Sequence, residues 1–115
     1  MNNNLDAILL AVSKMRKVDA EMPAQAMATL LSVANTDRPI RMTEIAEQLQ
    51  VSQPTVSRNV AYFSATNRHK RKGHELLEAY PDPEEHRRKL VQLTAKGRRF
   101  IKSLYNTKER ANATT

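Results

Sequence analysis

The chain has 115 residues, with 19 Lys and Arg against 12 Asp and Glu for a formal charge of +7, which suits one modest domain that meets a polyanion. Without cysteine there is no disulfide framework or thiolate metal site, and with only 2 glycines a nucleotide-cradling loop is excluded. No apolar run approaches the roughly 20 residues of a membrane span and no signal peptide opens the chain, so a cytoplasmic protein is expected.

After a polar start, Leu5, Ile8, Leu9, Val12 and Met15 recur at helical spacing and predict an amphipathic helix up to Asp19. Pro23 suits the first turn of a second helix, with an apolar stripe of Met27, Leu30, Leu31 and Ala34. Asn35, Thr36, Asp37 and Pro39 end it, and Ile40 to Met42 fit a short edge strand. Thr43 is placed as the cap of a third helix that turns Ile45, Ala46 and Leu49 inward. Val51-Ser52 reads as a tight turn, Ser52 as the cap of a fourth helix and Pro54 as its first-turn proline. In that helix Val56, Val60 and Phe63 mark the buried side, while Pro54, Ser57, Arg58 and Ala61 lie opposite.

The segment from Arg68 to His74 is too basic and polar to bury itself. Leu76-Leu77 and Leu90 to Leu93 then read as two short strands flanking a charged tip, Pro81 to Arg88. Thr94 caps a last helix with Phe100, Ile101 and Leu104 apolar, and Ala111 to Thr115 read as a frayed tail. Charge follows this division: residues 1–37 are slightly acidic, and the cationic excess lies entirely in 38–115.

Helix, short turn, helix and a two-stranded hairpin make a mainly α fold with a small β-hairpin wing, a winged helix-turn-helix. Each part has a physical task on duplex DNA. The helix after Ser52 fits the major groove: Gln53 suits paired hydrogen bonds to adenine, Thr55 and Ser57 suit phosphate or base, and Arg58 forks onto guanine or phosphate. Arg58 could instead pair with a neighbouring carboxylate. Arg87 or Arg88 at the wing suits an adjacent narrow minor groove. Arg68, Lys70, Arg71 and Lys72 either touch phosphates or form a solvated loop. Five aromatics, Tyr62, Phe63, Tyr80, Phe100 and Tyr105, are too few for a single-strand stacking platform. His69, His74 and His86 have no metal-ligand spacing, so neither metal nor cofactor is expected, and no catalytic constellation points to an enzyme.

Two blocks carry a family resemblance. Thr43-Glu-Ile-Ala-Glu-Gln-Leu-Gln-Val-Ser-Gln-Pro-Thr-Val-Ser-Arg58 resembles a bacterial helix-turn-helix. Asp82-Pro-Glu-Glu-His-Arg-Arg-Lys-Leu-Val-Gln-Leu-Thr-Ala-Lys-Gly97 resembles the wing and following helix of the MarR (multiple antibiotic resistance regulator) family. The resemblance implies a dimeric transcriptional regulator on a pseudo-palindromic operator. It also implies that the acidic wing residue, here Glu85 where the family usually has Asp, orients the arginine two positions on, Arg87, with His86 and Arg88 alongside. The chain departs from the family pattern in three places. Gln50 stands where many helix-turn-helices have glycine, which calls for a positive φ at a cost of about 1 kcal/mol. The basic connection between Phe63 and Leu76 is longer, and the chain stops soon after Leu104 where the family continues into a dimerisation helix.

Residues 1–22 are accordingly read as a dimerisation helix, 23–98 as the DNA-binding domain, and 99–115 as the end of the last helix and its tail. The first helix packs either on its own domain or on a second copy. The second reading is preferred, because one winged domain covers little of both the Leu5, Ile8, Leu9, Val12 stripe and the Phe100, Ile101, Leu104 stripe. The expected function is a sequence-specific regulator of double-stranded DNA, most simply a repressor acting as a homodimer. The competing reading is a winged-helix adaptor for a protein of the transcription or replication machinery. A small-molecule effector is compatible with the residues but not indicated by them.

Overall fold

A computed structural model describes residues 2–65 and 73–105. The side chain of Asn2 accepts from the N–H groups of Asn4 and Leu5, which caps α1, Asn3–Val18. Met15 is buried, whereas Leu5, Ile8 and Leu9 are about two-thirds exposed, at 64%, 59% and 65%. Pro23 is the N-cap of α2, Ala24–Ala34, rather than a residue of its first turn. The buried side of α2 is Ala26, Thr29, Leu30 and Val33, so Leu31 faces outward instead of completing the expected stripe.

The strand β1, Ile40–Arg41, leads directly into α3, Met42–Leu49. Arg41, not Thr43, is the N-cap of α3, and the Glu44 carboxylate reaches back to accept from the Arg41 N–H at 3.4 Å. Gln50 ends α3 in the left-handed region, φ 57 and ψ 45, as the missing glycine requires. Ser52 then caps α4, Gln53–Phe63, which buries Val56, Val60 and Phe63.

The remaining elements are β2, Leu77–Pro81, β3, Lys89–Leu93, and α5, Ala95–Leu104. The sheet has the order β1-β3-β2, wholly antiparallel, with Ile40 opposite Val91 and Leu77 opposite Leu93. β1 is thus the edge strand expected of it. The first wing strand starts one residue later and runs further than the sequence indicates. Leu76 lies just before it, buried, and Pro81 belongs to the strand rather than the tip.

Three contacts fix the wing to the helices. The Leu76 N–H donates to Phe63 O at 2.8 Å, joining the root of the wing to the end of α4. Thr94 caps α5 through Gly97 N and also donates its hydroxyl to Glu75 O at 2.6 Å. Gly97 presses so near the Leu76 carbonyl that a Cβ would stand 2.1 Å from its oxygen. The Gly73 N–H donates to Ala65 O at 2.8 Å.

The core is continuous from Met15 of α1 through Leu30, Ile45, Val56 and Phe63 to Val91, Ile101 and Leu104. Lys14 Nζ donates to Ser103 O, tying α1 to the end of α5. A second tie joins α1 to α4: the Tyr62 hydroxyl donates to Asp19 Oδ2, and the His74 ring packs on Tyr62 with centroids 4.8 Å apart. The Tyr62 hydrogen bond, followed by that from the Glu21 N–H, holds the Asp19 carboxyl below its ordinary range. Burial, followed by the Asp19 contact, pushes the Tyr62 phenol up.

Candidate nucleic-acid interface

On α4 the polar side is organised by its own hydrogen bonds. The Ser52 hydroxyl accepts from Thr55 N–H at 3.3 Å, the Ser52 and Thr55 hydroxyls bond each other at 2.9 Å, and Arg58 Nη2 donates to Thr55 Oγ1 at 3.3 Å. This chain of contacts leans the Arg58 guanidinium along the helix and restricts its rotamers. Arg58 pairs with no carboxylate among the described residues. Ser52, Gln53, Pro54, Ser57 and Arg58 are exposed, while Thr55 and Ala61 are half-buried.

The rotation of α4 about its axis is set from behind. Asn59 Nδ2 donates to Thr29 Oγ1 at 3.3 Å, and the fully buried Thr29 hydroxyl in turn donates to Gln25 O at 2.9 Å. The Asn59–Thr29 bond thus ties α4 to α2. Neither residue stands out in the sequence. Only a polar pair at matching depth on two helices would betray them, and depth is not written in one sequence.

At the wing, the turn between β2 and β3 is closed by Asp82 N–H to Arg88 O at 2.9 Å and Arg88 N–H to Glu85 O at 2.9 Å. Glu85, His86, Arg87, Arg88 and Lys89 are all exposed. The Glu85 carboxylate forms no ion pair among the described residues. The anchored acid is instead Asp82, 5% exposed, whose Oδ1 accepts from Glu84 N–H at 2.9 Å and whose Oδ2 lies 3.6 Å from Arg41 Nε.

The N-terminus of α4, the start of α3 and the wing share one cleft of 260 Å³, whose lining includes Gln53, Arg87 and Arg88. Arg68, Lys70, Arg71 and Lys72 lie outside the described residues, as does the tail from 106 to 115. Of the two apolar stripes, Ile101 and Leu104 are buried within the chain and Phe100 packs against its core, while Val12 is half-buried and Leu5, Ile8 and Leu9 remain open. No helix among the described residues is long and apolar enough to cross a membrane.

No protein-family model matches the sequence, and no curated protein matches it. Solved structures do match. The complex of Staphylococcus aureus MepR with DNA superposes with a TM-score of 0.67 at 22% identity, over 96% of this chain and 85% of that one. A mutant MarR from E. coli complexed with operator DNA gives 0.64 at 20% identity, over 89% of this chain and 65% of that one. The PcaV transcriptional regulator from Streptomyces coelicolor, in complex with its natural ligand, gives 0.59 at 21% identity, over 82% of this chain and 60% of that one. The chain therefore spans less than two thirds of PcaV and of MarR. At such identities the likeness is one of architecture: this chain has the winged helix-turn-helix fold of the MarR-type transcriptional regulators.

Proposed function

We propose that the chain is a sequence-specific regulator of transcription that binds double-stranded DNA, acting as a homodimeric repressor on a pseudo-palindromic site. The observation that carries this reading is the shared cleft: the start of an outward, polar α4 and a cationic wing open on the same side of the molecule. A helix of that kind fits the major groove, and a hairpin beside it reaches the neighbouring backbone and minor groove. Gln53 and Arg58 are the side chains suited to base edges, Ser52, Thr55 and Ser57 to phosphate or base, and Arg87 to the minor groove.

The dimer is supported by the open apolar surface of α1. Leu5, Ile8 and Leu9 are exposed, and Ile8 borders an apolar cleft of 690 Å³ that also takes in Leu31, Leu104 and Tyr105, a surface too apolar to favour solvent. A second copy covers it by two-fold symmetry and sets two α4 helices at a fixed spacing.

In vitro selection of bound duplexes tests the reading. The selected site should carry two half-sites about 10 bp apart, or a multiple, and bind at least about a thousandfold tighter than random duplex. Affinity should fall steeply with salt. Equal binding to every duplex would sink the regulator. Capture of a protein partner by a chain with no duplex affinity would replace it with the adaptor.

A further inference from the structure

Arg41 occupies a position that normally calls for another residue type. It is the N-cap of α3, where a side-chain acceptor is usual, and a guanidinium has no acceptor to offer. Its Nε points to the buried carboxylate of Asp82 at 3.6 Å, yet its side chain remains 39% exposed. The two Nη groups carry no hydrogen bond among the described residues. They belong to a residue that lines the 260 Å³ cleft together with Thr43, Gln53, Arg87, Arg88 and Lys89. Four cations thus converge there, and no carboxylate among the described residues lines the cleft.

Like charges so gathered repel, and an anion between them relieves the repulsion. The geometry points to a phosphate-binding cleft in which Arg41, held through Nε by Asp82, donates from its Nη groups to one backbone phosphate of duplex DNA. This inference rests on the DNA-binding reading above. The phosphate concerned lies between the groove that α4 enters and the groove that the wing reaches, because the cleft lies between those two elements. A guanidinium with one edge on a carboxylate and the other on a phosphate is fixed at both ends, so the contact sets register rather than sequence preference. Asp82 acts through Arg41 as a positioning residue.

Anisotropy titrations on one selected and one random duplex, run from about 50 to 200 mM salt, test this with wild type, Arg41→Gln, Arg41→Ser, Arg41→Lys and Asp82→Asn. Arg41→Ser supplies the cap acceptor that arginine lacks, so it guards against a variant that merely fails to fold. Arg41→Gln and Arg41→Ser should lower the slope of log affinity against log salt by about 0.9, so that their deficit against wild type narrows about 3.5-fold over that range. Both should weaken the two duplexes by one common factor. Arg41→Lys and Asp82→Asn, which keep the cation, should keep the slope. A wild-type slope in Arg41→Gln and Arg41→Ser overturns the phosphate contact and leaves DNA binding standing. A wild-type chain with no duplex affinity overturns the underlying reading and the contact with it.

Discussion

Replacing Gly97 by alanine sets two physical effects against each other. By helix propensity alone, alanine stabilises a helix over glycine by about 1 kcal/mol. In the structure, however, the new Cβ would stand 2.1 Å from Leu76 O, 3.0 Å from Leu76 C and 3.3 Å from Leu93 Cδ2. The Leu93 side chain can give by a few tenths of an ångström. The Leu76 backbone is held on both sides, by its N–H on Phe63 O at 2.8 Å and by the Thr94 N–H on its carbonyl at 3.1 Å. Relief therefore needs α5 and the root of the wing to part by about 1 Å, with loss of packing over Leu93 and Ile101. Overpacking that moves backbone costs about 3 kcal/mol, so after the propensity gain a net loss of about 2 kcal/mol remains. That lowers the melting temperature by about 8 °C for a chain of this size. The assay is thermal unfolding by circular dichroism at one fixed protein concentration, beside the exposed control Lys102→Ala, which should stay within about 0.5 kcal/mol of wild type. A melting temperature in Gly97→Ala equal to or above wild type would refute the close approach, and with it the account of how the wing is seated.

Arg58→Ala should relax base preference at one position of a selected site, by about 1–3 kcal/mol of discrimination, whereas Arg87→Ala should weaken binding and abolish the A·T preference beside it. Competition titrations against single-base variants of the site measure both, and unchanged preference in the two variants would place the wrong face on DNA. Tyr62→Phe should destabilise the chain by about 1 kcal/mol at neutral pH, where Asp19 is ionised and Tyr62 is not. The Asp19 carboxyl lies below its ordinary range when folded, so its contribution is present at neutral pH and lost as pH falls through the folded value. The Tyr62 phenol is raised, so its contribution is present below the ordinary tyrosine range and lost as pH rises above it. Urea unfolding across pH should thus show wild type and Tyr62→Phe converging at both extremes, and a constant gap would be evidence against the contact. Leu9→Glu should leave the fold of one chain intact but dissociate a dimer. Each Leu buried contributes about 1.5–3 kcal/mol and the change occurs twice per dimer, so sedimentation velocity at micromolar protein should report a monomer. An unchanged sedimentation coefficient would assign the dimer, or its absence, to another surface.

The parts of the fold that one sequence discloses are those governed by neighbours along the chain. Ser52, Pro54 and the spacing of Val56, Val60 and Phe63 place α4 because capping and burial there are local. The left-handed backbone at Gln50 is legible only through the family resemblance, which puts a glycine at that position. The start of α3 is hidden because its cap is an arginine, and no capping preference singles one out. β2 is hard to extend past Leu77 because Glu78 and Ala79 are both exposed, which destroys the alternation that marks a strand. The Asp82–Arg41 and Asn59–Thr29 contacts join residues far apart in the chain, so nothing in either neighbourhood foretells the other. The α5 stripe divides for the same reason: Ile101 and Leu104 are covered by elements distant in sequence, among them α1, tied there by Lys14.

From Pro83 to Arg88 every residue of the hairpin end is exposed, and main-chain bonds to Asp82 and Glu85 hold it closed. Side chains there can be exchanged with little effect on folding, because none of them supports the interior. On the DNA-binding reading proposed above, contacts made by that short stretch can therefore be altered by substitution without disturbing the hidden residues beneath it.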